Sequence, residues 1–236
     1  MKVLELFAGT RSIGKGFERH GVPRSDIFST DLDTRHPNMD YYTDILSLTV
    51  EYLTEEQFFI PDVIWASPPC QSYSVSAISH HRIEGKDGFL YPKSNFAKHS
   101  DKVLEHTLSL IQEMKEVNPN LIWFIENPMG GMRKSRLMQF LPRYTVTYCQ
   151  YGDTRMKPTD IWTNYLNPEF KPPCHYGDTC HESAPRGSRT GTQGLKGAIE
   201  RSRIPDLFCD HIAEICLKED HRCLAAKQET LSGWCV

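Results

Sequence analysis

The chain has 236 residues, 39% hydrophobic and 24% charged, with a formal net charge of -3. That length and composition suit one substantial core with a small appendage, and the weak negative charge excludes a globally basic nucleic-acid binder, leaving any such contact to a local patch. Eight scattered cysteines without a secretory signal argue against a disulfide framework, and no apolar run is long enough to span a bilayer.

The first predicted element is a strand over residues 2–7, which carries Glu5 in its middle and ends at Ala8-Gly9-Thr10. An acid in that position does not suit a signal-peptide core, so a cytoplasmic protein with nothing removed is expected. Residues 11–20 read as a helix with Ile13 and Phe17 on one face. Strands follow at 26–30, ending at Asp31, and at 62–66, ending at Ser67-Pro68-Pro69-Cys70. A helix over about 97–117 presents Val103, Leu104, Leu108, Ile111, Met114 and Val117, and Asn118-Pro119 stops it. Residues 121–125 form an unbroken apolar run, as a strand buried on both faces requires, and end at Glu126-Asn127-Pro128. Further strands are expected near 144–150 and 159–163, and a final helix over 204–217 with Pro205 in its first turn.

Strands alternating with helices predict a doubly wound, mostly parallel α/β sheet. Ligands of such sheets bind beyond the carboxyl ends of the strands. Gly9, Asp31, Cys70 and Glu126 all fall at those ends. The small residues after the first strand would let a cofactor approach the backbone, with free N–H groups at the following helix start. Asp31 is positioned to accept from ribose hydroxyls. A free cysteine is most often a small core residue. After two prolines at the mouth of a parallel sheet, Cys70 reads better as a nucleophile. Glu126 ends a buried strand, where an apolar setting would raise its pKa and suit it to donate a proton.

Phe7-Ala8-Gly9, Pro69-Cys70-Gln71 and Glu126-Asn127-Pro128 occur in the order and roughly the spacing of the cytosine-5 DNA methyltransferase family, which the chain resembles over about residues 1–163. Thr10 stands where the family usually has Gly, and Pro128 where it usually has Val. The resemblance implies a Rossmann-like methyltransferase fold with S-adenosylmethionine as cofactor, contacted by Phe7, Ala8, Gly9, Ser12, Asp31, Leu32, Asp44, Ile45 and Pro69. It implies Cys70 as the nucleophile at C6 of cytosine, Glu126 at N3, and Arg155 or Lys157, from the Tyr151-Gly152 turn, at O2. The family's final motif is degenerate, and Ser202 is the candidate for its cofactor contact. Residues 71–100 correspond to the family's flexible catalytic loop, in which Gln71, Ser72 and Arg82 suit DNA contacts.

From 165 to 203 apolar periodicity disappears, and Pro, Gly, Cys and His become dense. This stretch divides the chain into a catalytic core (1–164), a short recognition region (165–203) and a returning C-terminal helix (204–236). Arg186 and Arg189 lie in the basic, glycine-interleaved part of that region and suit phosphate contacts. Cys174-His175 and Cys180-His181 offer either four zinc ligands or free thiols in a satisfied loop; the spacing matches no standard finger, and the reading without metal is the default. The expected activity is methylation of cytosine in duplex DNA by a monomer without membrane contact, in the cytoplasm or, for a phage-borne restriction-modification type enzyme, that of the host. The same chemistry on RNA or a free nucleotide, or an inactive nucleic-acid-binding homologue, are the alternatives.

Overall fold

The computed structural model describes residues 1–175, 177–182 and 197–218. In chain order the regular elements are β1 (Val3–Leu6), α1 (Ser12–Arg19), β2 (Ile27–Asp31), β3 (Tyr41–Tyr42), β4 (Val63–Ala66), α2 (Ile78–His81), β5 (Arg82–Glu84), β6 (Leu90–Pro92), α3 (Asn95–Val117), β7 (Ile122–Pro128), β8 (Arg143–Thr147), β9 (Pro158–Thr163), α4 (Ala198–Ser202) and α5 (Asp206–Leu217). Seven strands form one sheet in the order β3-β2-β1-β4-β7-β9-β8. Its β3-β2-β1-β4-β7 part is parallel, while β9 pairs antiparallel with both β7 and β8. This is the expected α/β sheet, in keeping with a Rossmann-like methyltransferase fold.

Side-chain alternation along β1 explains both of its packed faces. Leu4 and Leu6 point to the side covered by α3, joining Leu104, Ile111, Met114 and Trp123 in one core. Val3 points to the opposite side, where Ile13 and Phe17 of α1 and Phe208 and Ile212 of α5 form the second. The two covering helices of that second face touch each other closely. A Cβ added at Gly16 would stand 2.8 Å from Cys209 Cβ and 2.9 Å from the Cys209 carbonyl, so glycine is what lets α1 and α5 approach.

The long elements lie where periodicity predicts them, with bounds shifted by one to three residues. Pro205 is the N-cap of α5 and not part of its first turn. The larger difference is in residues 71–100. This stretch folds into a 3-10 turn (Gln71–Tyr73), α2, the antiparallel β5–β6 hairpin and the start of α3. No helix among the described residues is long and apolar enough to cross a membrane.

Candidate active site

Parallel pairing brings the carboxyl ends of β1, β2, β4 and β7 to one edge of the sheet, where the β1–α1 turn lies. Phe7, Gly9 and Arg11 all adopt positive φ there, which folds the chain sharply between strand and helix. A Cβ on Gly9 would meet nothing within 4 Å, so open space adjoins the turn. Ala8 and Ser12 are buried, and Ser12 Oγ lies 2.7 Å from Thr10 Oγ1. The start of α1, expected to be open to a ligand, is already occupied. Glu5 Oε1 accepts from Ile13 N at 3.1 Å, the Gly14 N–H also donates to this carboxylate, and Ser29 Oγ donates to Oε2 at 3.2 Å. Burial lifts the Glu5 carboxyl to about 7 against these bonds and the neighbouring Arg11.

Asp31 ends β2 with both oxygens engaged, accepting from Gly9 N and Asp33 N at 2.8 Å each. It thereby ties the β1 turn to the β2 end. Leu32 beside it is 66% exposed, an apolar side chain presented to solvent. Asp44 caps the 3-10 turn Ile45–Ser47 by accepting from Leu46 N at 3.0 Å, while the Ile45 side chain is buried in the α3-side core. Ile45, expected at the cofactor, can therefore present only backbone there.

After β4, Pro68 and the exposed Pro69 lead to Cys70, which is half-buried. Burial first, then the Glu126 carboxyl, push the Cys70 thiol up, while Lys157 and Arg201 pull it down. Glu126 is buried at the end of β7. Tyr148 Oη donates to its Oε1 at 3.0 Å, and Ser67, itself accepting from Trp65 Nε1 at 2.8 Å, also bonds it. Burial raises the Glu126 carboxyl; the Lys157 cation opposes this. Asn127 donates to Pro68 O at 2.8 Å, locking the β7 end to the Cys70 turn; its Oδ1 has no partner among the described residues.

The two basic candidates separate clearly. Arg155 is buried and forks onto Asp153, with Nε at 2.9 Å from Oδ1 and Nη2 at 2.5 Å from Oδ2. Lys157 lies with its Nζ 4.8 Å from the Tyr148 ring centroid and donates to Arg201 O at 3.1 Å. Desolvation lowers its pKa, and the Glu126 and Cys70 charges raise it. Lys157 is thus the cation whose field reaches both the thiol and the carboxyl, and Arg155 braces the turn. The exposed Ser202 ends α4 directly after Arg201.

Two residues expected on DNA are otherwise occupied. Arg82 is buried, with its guanidinium 3.7 Å from the Tyr73 ring centroid; it donates to Ser72 O and Ser72 Oγ at 3.0 Å each and to Asp101 Oδ1 at 2.6 Å. Ser72 is fully buried. Both belong to a latch inside the segment, because a buried guanidinium needs its donors satisfied. Gln71 next to Cys70 is exposed, and Arg186 and Arg189 lie outside the described residues. Of the zinc candidates, Cys174, Cys180 and His181 converge, but His175 does not join them; Cys149 stands in the fourth position. Glu5 and Cys149 were the residues sequence reasoning missed. The only signal for Glu5 was an acid inside an apolar strand, and for Cys149 none existed, since it lies 25 residues before Cys174.

At the carboxyl ends of its parallel strands the α/β sheet carries a thiol, Cys70, and a buried carboxyl, Glu126, with the Lys157 cation acting on both. No protein-family model matches the chain. Its sequence is similar to the probable DNA (cytosine-5)-methyltransferase of Frog virus 3 (isolate Goorha), with 27% identity over 233 residues, spanning 92% of this chain and 100% of the viral one. Among solved structures it is similar to the S. pombe Dnmt2 methyltransferase, with a TM-score of 0.46 and 18% identity over 69% of this chain; the match spans 50% of that chain. Both likenesses are distant.

Proposed function

We propose that this chain transfers a methyl group from S-adenosylmethionine to carbon 5 of cytosine in DNA, using Cys70 as a covalent nucleophile. The observation that carries the proposal is that Asn127, donating to Pro68 O at 2.8 Å, ties the Glu126 end of β7 to the Cys70 turn, with the Lys157 charge acting on both groups. The likeness to the Frog virus 3 protein, described as a probable DNA methyltransferase, supports DNA as the polymer.

The residues at these strand ends fit the cofactor: open space beside Gly9, the exposed apolar Leu32 for a purine face, and the Asp31 carboxylate for ribose hydroxyls. Phe7, Ala8, Ser12, Asp44, the Ile45 backbone, Pro69 and Ser202 complete the surround. When bound, S-adenosylmethionine supplies an electrophilic methyl group. Cys70 loses its proton to solvent, helped by the Lys157 and Arg201 charges, and its thiolate adds to C6 of the ring. Glu126, whose burial favours the protonated form, donates to N3 so that negative charge does not build up on the base. The Lys157 ammonium holds O2. Once C5 carries the methyl group, a base removes the C5 proton, the carbon–sulfur bond breaks, the thiolate is restored and the N3 proton returns to Glu126. A duplex target must leave the stack before this can begin.

The test is trapping on a duplex with fluorine at cytosine C5. Fluorine cannot leave as a cation, so elimination stalls with enzyme and base joined. The expected result is a denaturant-stable complex that requires S-adenosylmethionine, maps to Cys70 and is absent in Cys70→Ser. Parallel incubations with tritiated cofactor and DNA, RNA or cytidine nucleotides identify the acceptor. Label in RNA or nucleotide alone overturns the DNA assignment; methylated cytosine without any adduct overturns the covalent chemistry.

A further inference from the structure

We propose that Cys149, Cys174, Cys180 and His181 form a zinc site that staples the recognition region to the catalytic core. The inference is independent of the substrate and of the methyl-transfer reading. Four ligand atoms, three Sγ and Nδ1 of His181, all lie within 4.8 Å of one another. They arrive from separate parts of the chain. Cys149 belongs to the 3-10 turn Tyr148–Tyr151 that follows β8, and the others flank a loop closed by Asp178, whose Oδ2 accepts from His175 N at 2.7 Å.

Three of the separations match a tetrahedral ion. Bonds of about 2.3 Å to sulfur and about 2.0–2.1 Å to nitrogen imply ligand edges of roughly 3.5–3.8 Å. Cys149 and Cys180 Sγ are 3.7 Å apart, and His181 Nδ1 lies 3.6 Å from Cys174 Sγ and 3.5 Å from Cys180 Sγ. Cys149 and Cys174 Sγ, at 3.0 Å, must part slightly to admit an ion. Both cysteines are free thiols. Thiols are weak hydrogen-bond partners, so the convergence of three with an imidazole has little to recommend it without a cation.

The surroundings are those of a closed, structural centre. Cys174 N donates to Thr147 Oγ1 at 2.9 Å, fixing one ligand to the end of β8, and Gln150 Nε2 points at Cys180 Sγ from 3.7 Å. Residues 165–175 and 177–182 contain no helix or strand, and besides the thiol cluster they are held on the core by Phe170 packed against Phe208 and by single hydrogen bonds such as Lys171 N to Tyr151 Oη at 2.9 Å. Soft thiolates with one imidazole favour zinc over magnesium or calcium, and four protein ligands leave no open position for chemistry. Binding would release the three thiol protons to solvent.

Elemental analysis of the full chain, purified without chelators from zinc-supplemented culture, tests the site. About one zinc per chain is expected. It should be lost in Cys149→Ser and Cys180→Ser and retained in His175→Ala and Cys70→Ser. Should the ligand variants fail to fold, cobalt(II) exchanged into the wild-type chain should show a tetrahedral ligand-field band with thiolate-to-cobalt charge transfer. Zinc absent after reconstitution, zinc retained in Cys149→Ser, a six-coordinate cobalt spectrum, or a Cys149–Cys174 disulfide in the native chain each overturns the proposal.

Discussion

Glu5 illustrates how one residue can serve the site without touching it. Its carboxylate takes the N–H groups that open α1, so the turn between β1 and α1 is held from beneath and its outer side is left for a ligand. The group is deeply buried, and its folded-state pKa of about 7 stands above the ordinary 4.5. A folded state that holds its proton more tightly is favoured at low pH. The contribution is therefore full below about 4.5 and lost as pH rises towards 7. Between pH 5 and 8 the wild type should lose roughly 2–3 kcal/mol relative to Glu5→Gln, as urea unfolding of both proteins at the two pH values would measure. A constant difference would mean that Glu5 is ionised in the fold at all of these values. Cys70 and Glu126 were easier to single out in the sequence, because Glu126 directly follows an apolar run and Cys70 stands behind Ser67-Pro68-Pro69 at the end of another. Choosing between Arg155 and Lys157 was not possible there, since both follow the same turn and only the partner Asp153 separates them.

Among the elements, the segment after Cys70 departs most from expectation. Its strands are three residues each, too short to show periodicity, and β3 has only two; their partners define them, not their own sequence. The long helix α3 and strand β7, by contrast, were legible because a helical stripe and a continuous apolar run persist over many residues. What organises the segment is the Arg82–Asp101 pair, with Tyr73 Oη also donating to Asp101 at 2.6 Å. The guanidinium is buried and Asp101 largely so, so removing the cation leaves polar groups stranded. Arg82→Ala should cost about 3 kcal/mol of stability in chemical denaturation. It should also loosen the Cys70 turn, lowering the trapping rate on fluorocytosine duplex more than duplex affinity. Full stability together with weakened duplex affinity would instead return Arg82 to the DNA surface.

At the scale of the whole molecule, a chain of net charge -3 must concentrate its positive field to hold a polyanion. Arg186 and Arg189, in the basic part of the recognition region, are the proposed phosphate contacts. Each contact contributes about -0.9 to the slope of log K against log salt for duplex DNA, so changing both to Ala should flatten that slope by about 2. Fluorescence anisotropy across a salt series measures it, and an unchanged slope would show that neither arginine neutralises a phosphate. The contact of Gly16 with Cys209 bears on a different event, the birth of the chain. Nearly 190 residues separate α1 from the α5 helix that covers it. At about 5–20 residues per second, translation leaves Ile13, Phe17 and one side of the sheet bare for roughly 10–40 s. The N-terminal half is made long before it can close, so the nascent protein passes through a sticky interval that ends only when its last described helix emerges.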